Sequence, residues 1–231
     1  MADVGALIAS GRDADIYEFG VGRVLRRSRV VGRSQADEAR IMEYVRDQGY
    51  PVPQVFDVSD DGTDLVMERV EGPTMAAQGG QRPWSIRSLG KQLAELHVEL
   101  HKLPAPQWLK PAGIGSGDRV LHMDLHPLNV LETTRGPVVI DWTNAVSGDP
   151  SVDVALTWVL VASGELPTRG LQGAIVKFGR NVLLNAFLSP LKSQLVVDVV
   201  SDVVEWKAHD AHMSSTEIAR MRALGASLTH Q

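Results

Sequence analysis

The chain has 231 residues, 44% of them hydrophobic, with a formal net charge of −5 and no cysteine. That length supports one good core or two small ones. The acidic balance argues against a protein built to coat nucleic acid or an anionic membrane, and the lack of cysteine excludes disulfides and thiolate metal sites.

The opening stretch MADVGALIASGRDAD has no basic region followed by an apolar core, so no signal peptide is expected. Ile16–Phe19 and Arg23–Arg27 are short runs around Gly20-Val21-Gly22, which predicts a hairpin. Arg23, Arg26, Arg27, Arg29 and Arg33 make a basic patch, but no aromatics interleave with it, so it reads as a solvated strand and turn and no nucleic-acid partner is expected. Gln35–Gln48 carries Ala39, Ile41, Met42 and Val45 near helical period, and Gly49 is a stop signal. Val55–Val58 and Asp64–Val70 flank the turn Asp60-Asp61-Gly62. After Gly72-Pro73 the character changes: Trp84–Leu103 spaces Leu89, Leu93, Leu96 and Leu100 as a core helix. Ala112–Asp118 is a glycine-rich loop. Arg119–Leu121 and Val138–Ile140 read as short buried strands, and from Val152 the chain reads as helical, with breaks at Gly164–Pro167 and Ser189-Pro190. The apolar stretch at Val154–Ala162 is too short to span a bilayer, and Val182–Val204 is interrupted by Pro190, Lys192, Asp198 and Asp202. The expectation is a soluble, cytoplasmic α+β protein with a small β-rich lobe with one helix, residues 1–70, and a larger, mostly helical lobe, residues 71–231.

The most informative segment is His122–Leu131, HMDLHPLNVL, followed by Val138-Val139-Ile140 and Asp141. An Asp, an Asn five residues later and a second Asp at a strand end suit phosphoryl transfer: one carboxylate orients a hydroxyl and two oxygens bind Mg²⁺ on a nucleotide. On this reading Asp124 orients the acceptor hydroxyl or takes its proton, while Asn129 and Asp141 hold the metal. Read instead as a strand, His122, Asp124 and His126 would face one way like ligands of a transition metal; Pro127 and the downstream Asn favour a loop. Asp149 and Asp153 lie in GDPSVDVA, where Asp149 also reads as a helix N-cap ahead of Pro150.

HMDLHPLN, VVIDW and GDPSVDVA together resemble the aminoglycoside-phosphotransferase and choline-kinase branch of the protein-kinase-like fold, over nearly the whole chain. The resemblance implies a bilobal kinase-like fold with residues 1–70 binding nucleotide and residues 71–231 carrying catalysis and the acceptor. It implies ATP, or GTP, and Mg²⁺ as cofactors, and a small-molecule hydroxyl as acceptor. It makes His122 and His126 supports of the loop, and Asp149 and Asp153 braces of the metal-binding segment. Gly11 falls in the loop that would cover the nucleotide. Arg26 stands where these families carry lysine on the phosphates, with Glu38 as its ion-pair partner ahead of Glu43. Backbone groups around Glu68 and Val70 would hold adenine. Met123 stands where the family usually has glycine.

Rival readings are a kinase-fold nucleotide-binding protein without turnover, motivated by Arg26 and Met123, and a protein kinase, disfavoured because GDPSVDVA follows Asp141 with no activation segment. His209 and His212 read as surface histidines rather than a metal pair, and Trp158 and Trp206 as core or groove-lining residues. Asp198, Asp202 and Glu205 share a possible helix face that would suit a cationic substrate but reads first as solvated.

Overall fold

The structure, a computed structural model, describes residues 4–11, 13–30, 34–164, 170–191, 193–209 and 213–228, arranged as two compact units. One comprises Met1–Pro73 with Val130–Ala145, the other Thr74–Asn129 with Val146–Gln231.

The first unit is built on a five-stranded antiparallel sheet. Strands β1 (Leu7–Ser10), β2 (Ala14–Glu18), β3 (Arg23–Ser28), β4 (Val55–Val58) and β5 (Asp64–Glu68) lie in the order β1-β2-β3-β5-β4. Arg26 on β3 pairs with Ile16 on one side and Leu65 on the other, which places it in mid-sheet. Helix α1 (Ala36–Asp47) has Asp37 and Glu38 in its first turn, where the helix dipole favours acids, and buries Glu38, Ala39, Ile41, Met42 and Val45 on one face. Strands β7 (Val130–Thr133) and β8 (Gly136–Val139) add a hairpin. The link before that hairpin depends on Gly72: at φ 155° a Cβ would lie 2.1 Å from the Glu132 carbonyl oxygen, and Glu132 N–H donates to the Pro73 carbonyl at 2.8 Å.

Behind β8 the chain is pinned by Trp142, which is fully buried. Its indole donates to the Val139 carbonyl at 3.1 Å, and its ring meets Tyr50 edge-on at 5.6 Å. Burial of this one side chain is worth about 3–5 kcal/mol against truncation.

The second unit holds α2 (Met75–Gln81), α3 (Ile86–Leu100), the pair β6 (Arg119–Leu121) and β9 (Val146–Gly148), and α4 (Pro150–Ser163), α5 (Gly170–Leu188), α6 (Ser193–Ala208) and α7 (Ser215–Leu228). Helix α3 buries Leu89, Leu93, Leu96 and Leu100 as their spacing predicts, and packs on α5. The two backbones approach closely at Gly90, where a Cβ would lie 2.4 Å from the Leu183 carbonyl oxygen. Helix α4 starts at Asp149, whose carboxylate accepts from Ser151 N–H at 2.8 Å, with Pro150 at the first helical position.

Several boundaries differ from the sequence reading. The helix expected from Trp84 starts at Ile86; Pro83–Ser85 is a 3₁₀ turn and leaves Trp84 81% exposed. Strand β5 ends at Glu68 rather than Val70, and β8 stops before Ile140. Part of the predicted break at Gly164–Pro167 lies outside the described residues. Among the described residues no helix is long and apolar enough to cross a membrane.

One core group carries a pH signature. His97 on α3 is fully buried, donates from Nδ1 to the Leu93 carbonyl at 2.8 Å and meets Thr157 Oγ1 through Nε2 at 3.0 Å. Burial pushes its pKa down from 6.5 to about 4, against the pull of Asp153. The unfolded chain therefore takes up this proton before the folded one does, and acid favours unfolding across that interval. The contribution is about 3 kcal/mol. The urea midpoint is expected to fall as pH drops from 6.5 to about 4, and His97→Gln to reduce that slope; an unchanged slope would show that the ring does not carry it.

Candidate active site

The loop after β6 is held from behind by a buried anion. Asp153, on the first turn of α4, is fully buried and accepts the backbone N–H groups of His122 at 3.0 Å and Met123 at 2.8 Å. His101 Nε2 lies 3.2 Å from the same carboxylate. Burial alone would raise the Asp153 pKa, but the hydrogen bond and charge interaction with His101, with smaller pulls from His97 and His122, hold it well below the ordinary carboxylate range.

With its amides fixed this way the chain turns sharply at Met123, which has φ 61° and is fully buried. This is left-handed backbone, which costs an L-residue about 1–2 kcal/mol relative to glycine. The turn also breaks the strand-like alternation of His122, Asp124 and His126, on which the transition-metal reading depended. Among the described residues no group of three or more His, Cys, Asp or Glu gathers to hold a metal ion.

Asp124 and Asn129 are brought together. Asn129 Nδ2 donates to the Asp124 carbonyl at 2.9 Å and to Asp124 Oδ2 at 3.0 Å. His126 Nδ1 accepts from Leu128 N–H at 3.3 Å, and its Nε2 stands 3.6 Å from Asp124 Oδ1. Leu125, between them, is fully buried, and its carbonyl accepts from the Thr157 hydroxyl at 2.7 Å. Because the Asn129 amide nitrogen is engaged by Asp124, the group it has left for a cation is its oxygen.

In the first unit the charged residues gather around Arg26. Arg26 Nη1 donates to Glu38 Oε2 at 2.5 Å and to Gln35 Oε1 at 2.6 Å, and Nη2 donates to Thr143 Oγ1 at 3.1 Å. Asp141 Oδ1 lies 3.6 Å from Nη2, and the Asp141 side chain is 46% exposed. Gln35 also donates to the carbonyls of Arg26 at 2.8 Å and Thr63 at 2.5 Å. Burial pushes the Glu38 carboxyl up despite Arg26 beside it. Asp141, like Met123, has left-handed backbone, at φ 64°. Glu43, the other candidate partner for Arg26, is exposed on α1, and Arg27 forms a two-pronged pair with Asp64 at 2.6–2.7 Å.

The remaining predicted positions fall as follows. Gly11 sits in the β1–β2 hairpin, its N–H donating to the Ala14 carbonyl at 2.9 Å; Arg12 of the same loop lies outside the described residues. Glu68 N–H donates to the Gln54 carbonyl at 2.8 Å, and its carboxylate accepts from Arg135. Burial works against ionisation of Glu68, but Arg135 and the Gln54 N–H outweigh it and lower its pKa. Val70 follows the end of β5 in irregular chain. Arg29 faces Asp15 at 3.7 Å and Arg23 stacks 4.1 Å over the Phe56 ring, so this surface has local partners; Arg33 is outside the described residues. Glu205 is paired with Arg222 through two contacts of 2.8 Å, and Asp202 is exposed, while the Asp198 side chain and His212 are outside the description. His209 donates to the Glu205 carbonyl at 2.7 Å. Trp158 and Trp206 are half-buried.

Four residues of these networks escaped the sequence reading: Gln35, Thr143, His101 and Thr157. Gln35 precedes Glu38 by one helical turn and Thr143 follows Asp141 by two residues, so spacing could have flagged both. Nothing local singles out His101 or Thr157.

Each unit carries an oxygen donor of the kind Mg²⁺ accepts: the second a neutral amide oxygen on Asn129, the first an accessible carboxylate on Asp141; Mg²⁺ takes few protein oxygens and completes its shell with phosphates and water.

A family model described as the phosphotransferase enzyme family matches residues 4–119 and 109–180. Among curated proteins none matches the chain in sequence. Among solved structures, a choline/ethanolamine kinase family protein from Mesorhizobium loti superposes with a TM-score of 0.62 at 18% identity, covering 98% of this chain and 87% of that one. The ADP-bound aminoglycoside phosphotransferase APH(2'')-Ib gives 0.59 at 12% identity, with 97% and 94% covered. An aminoglycoside-3'-phosphotransferase of type VIII gives 0.55 at 19% identity, with 97% and 92% covered. At such identities the likeness speaks for the fold, which is kinase-like and α+β.

Two substitutions probe the loop. Met123→Gly relieves about 1–2 kcal/mol of backbone strain but deletes a buried side chain worth about 2–5 kcal/mol, so urea unfolding is expected to show a net loss; a more stable variant would mean the strain dominates. Asp153→Ala leaves two buried amides without their acceptor and is expected to cost about 3 kcal/mol, measured the same way.

Proposed function

Since the chain belongs to the phosphotransferase enzyme family, we propose that it transfers the γ-phosphoryl group of ATP, or GTP, to a hydroxyl of a small molecule. The observation that carries this reading is the pairing of Asp124 with Asn129 on a loop fixed by Asp153. That pairing leaves a carboxylate oxygen for an acceptor hydroxyl and an amide oxygen for a cation. Bound Mg²⁺ and nucleotide would supply the phosphoryl group and neutralise its developing charge.

The chain's own residues position and hold. Asp124 orients the acceptor hydroxyl for in-line attack and takes its proton. Because phosphoryl transfer passes through a loose transition state, positioning matters more than base strength. Asn129 and Asp141 provide the oxygens for the metal. Arg26, held by Glu38, Gln35 and Thr143, places a fixed positive charge beside the phosphates. The β1–β2 hairpin at Gly11 covers the nucleotide, and backbone groups near Glu68 and Val70 hold its base. His122, His126, Asp149 and Asp153 support these groups without touching the reacting atoms. The roles divide as a nucleotide-binding lobe over residues 1–70 and a catalytic and acceptor-binding lobe over residues 71–231. The acceptor class is an aminoglycoside-like antibiotic or a metabolite alcohol, and the setting is the cytoplasm, where Mg²⁺ and nucleoside triphosphates are abundant.

Calorimetric titration with ATP and with GTP, with and without Mg²⁺, tests the first half. Binding that Mg²⁺ tightens in the wild type and that Asp141→Asn loses is expected. Asp124→Ala should then lower transfer to a hydroxyl acceptor by about 10²-fold or more while nucleotide affinity stays within about twofold of wild type. Full transfer activity in Asp124→Ala would sink the assignment, and a well-folded wild type that binds neither nucleotide would point to a kinase fold without turnover.

A further inference from the structure

An arginine in place of lysine brings a second nitrogen to this site. A lysine ammonium answers Glu38 as a point charge, whereas the guanidinium fork has two ends to satisfy. Nη1 is taken by Glu38 at 2.5 Å and Gln35 at 2.6 Å. Nη2 is left facing Thr143 Oγ1 at 3.1 Å and, beyond it, Asp141 Oδ1 at 3.6 Å. Thr143 Oγ1 in turn lies 2.9 Å from that Asp141 oxygen and 3.0 Å from Glu38 Oε2. A hydroxyl has one proton and two acceptor sites. It therefore accepts from Nη2 and donates to one of the two carboxylates at a time.

We infer that Thr143 is a positioning residue that holds the Arg26 fork off Asp141 and so keeps that carboxylate open to a divalent cation. The inference rests on the reading of Asp141 as a metal ligand. With the hydroxyl removed, the acceptor within reach of Nη2 is Asp141 Oδ1, only 3.6 Å away. A direct arginine–carboxylate pair there is short and charge-assisted, and it engages the oxygen a cation needs. The Arg26 side chain is 13% exposed, so little water is at hand to satisfy Nη2 instead. The hydroxyl performs two tasks with one atom: it gives Nη2 a neutral acceptor and gives Asp141 a donor that yields readily to a metal. Gln35 contributes from the other side by fixing Nη1 and the Arg26 carbonyl.

The test is the factor by which Mg²⁺ tightens ATP binding, measured by calorimetry on wild type, Thr143→Val, Thr143→Ser, Arg26→Lys and the Arg26→Lys/Thr143→Val double variant. Thr143→Val keeps the side-chain shape and is expected to cut that factor by about tenfold, the scale of one hydrogen bond to a charged group. Metal-free ATP binding should change by less than about twofold, since the charge of Arg26 is retained. Thr143→Ser should behave as wild type, and adding Arg26→Lys to Thr143→Val should restore the factor to that of Arg26→Lys alone, because an ammonium has no second nitrogen to close on Asp141. Melting curves accompany each variant, and Thr143→Ala replaces Thr143→Val if the latter unfolds. A valine variant equal to a wild type that does show Mg²⁺-dependent binding overturns the inference and leaves the functional reading standing. So does a serine variant as impaired as valine, or a lysine that fails to rescue. A folded wild type without Mg²⁺-dependent binding of ATP overturns the functional reading, and the inference with it.

Discussion

The arrangement of the loop after β6 depends on one buried carboxylate. Taking an ionised Asp153 out of water costs several kcal/mol unless hydrogen bonds replace the lost hydration. Here two backbone amides and His101 do so, and the donors belong to two separate stretches of chain, each remote in sequence from Asp153. The anion cannot be satisfied unless β6 delivers His122 and Met123 to the first turn of α4, so the polar requirement enforces the geometry. Left-handed backbone at Met123 is the local consequence: the chain accepts strain at one residue because its amide is committed.

Arg26 presents the same problem with opposite charge. It is a largely buried cation in mid-sheet, and Glu38, Gln35 and Thr143 surround its fork with acceptors. Glu38 in turn is so buried that its charged form depends on Arg26. Each polar group here has a partner that is itself positioned by another bond, and such networks rigidify a site more than isolated pairs do. Both left-handed non-glycine residues among the described ones, Met123 and Asp141, adjoin these networks. Strain of this kind persists where the surroundings over-determine the backbone.

Much of this was legible in the sequence, for reasons that differ by element. The five-residue spacing of Asp124 and Asn129 returns as a hydrogen bond between their side chains, and the leucines of α3 and the apolar face of α1 repeat with the helix. Strands β1, β7 and β9 were not seen: LIAS, VLET and VSG are three or four residues long, and none was set off by the flanking turn or the run of apolar residues that marked the other short strands. Helix α2 contains Gly79 and Gly80 and little periodicity, so nothing in MAAQGGQ announces a helix. The Asp153 anchor was read only as a brace, because its partners are backbone amides, which every sequence possesses. His101 escaped for a related reason: it meets Asp153 at a sequence separation of 52, and no local pattern encodes such a pairing. Met123 was noticed as a departure, but only the φ angle explains why glycine would suit that position.

The first unit is discontinuous, closing with Val130–Ala145 after the chain has passed through α2, α3 and β6. Arg26 meets Thr143 across 117 positions, and Glu38 meets it across 105. Contacts that distant carry a large loop-closure entropy and form late. On the ribosome, where the N-terminal end emerges first, the sheet and α1 must wait with their buried charges incompletely paired until the β7–β8 hairpin and Trp142 arrive. The unit that starts first is thus finished by residues synthesised well after it, which ties its maturation to the production of Val130–Ala145 and everything between.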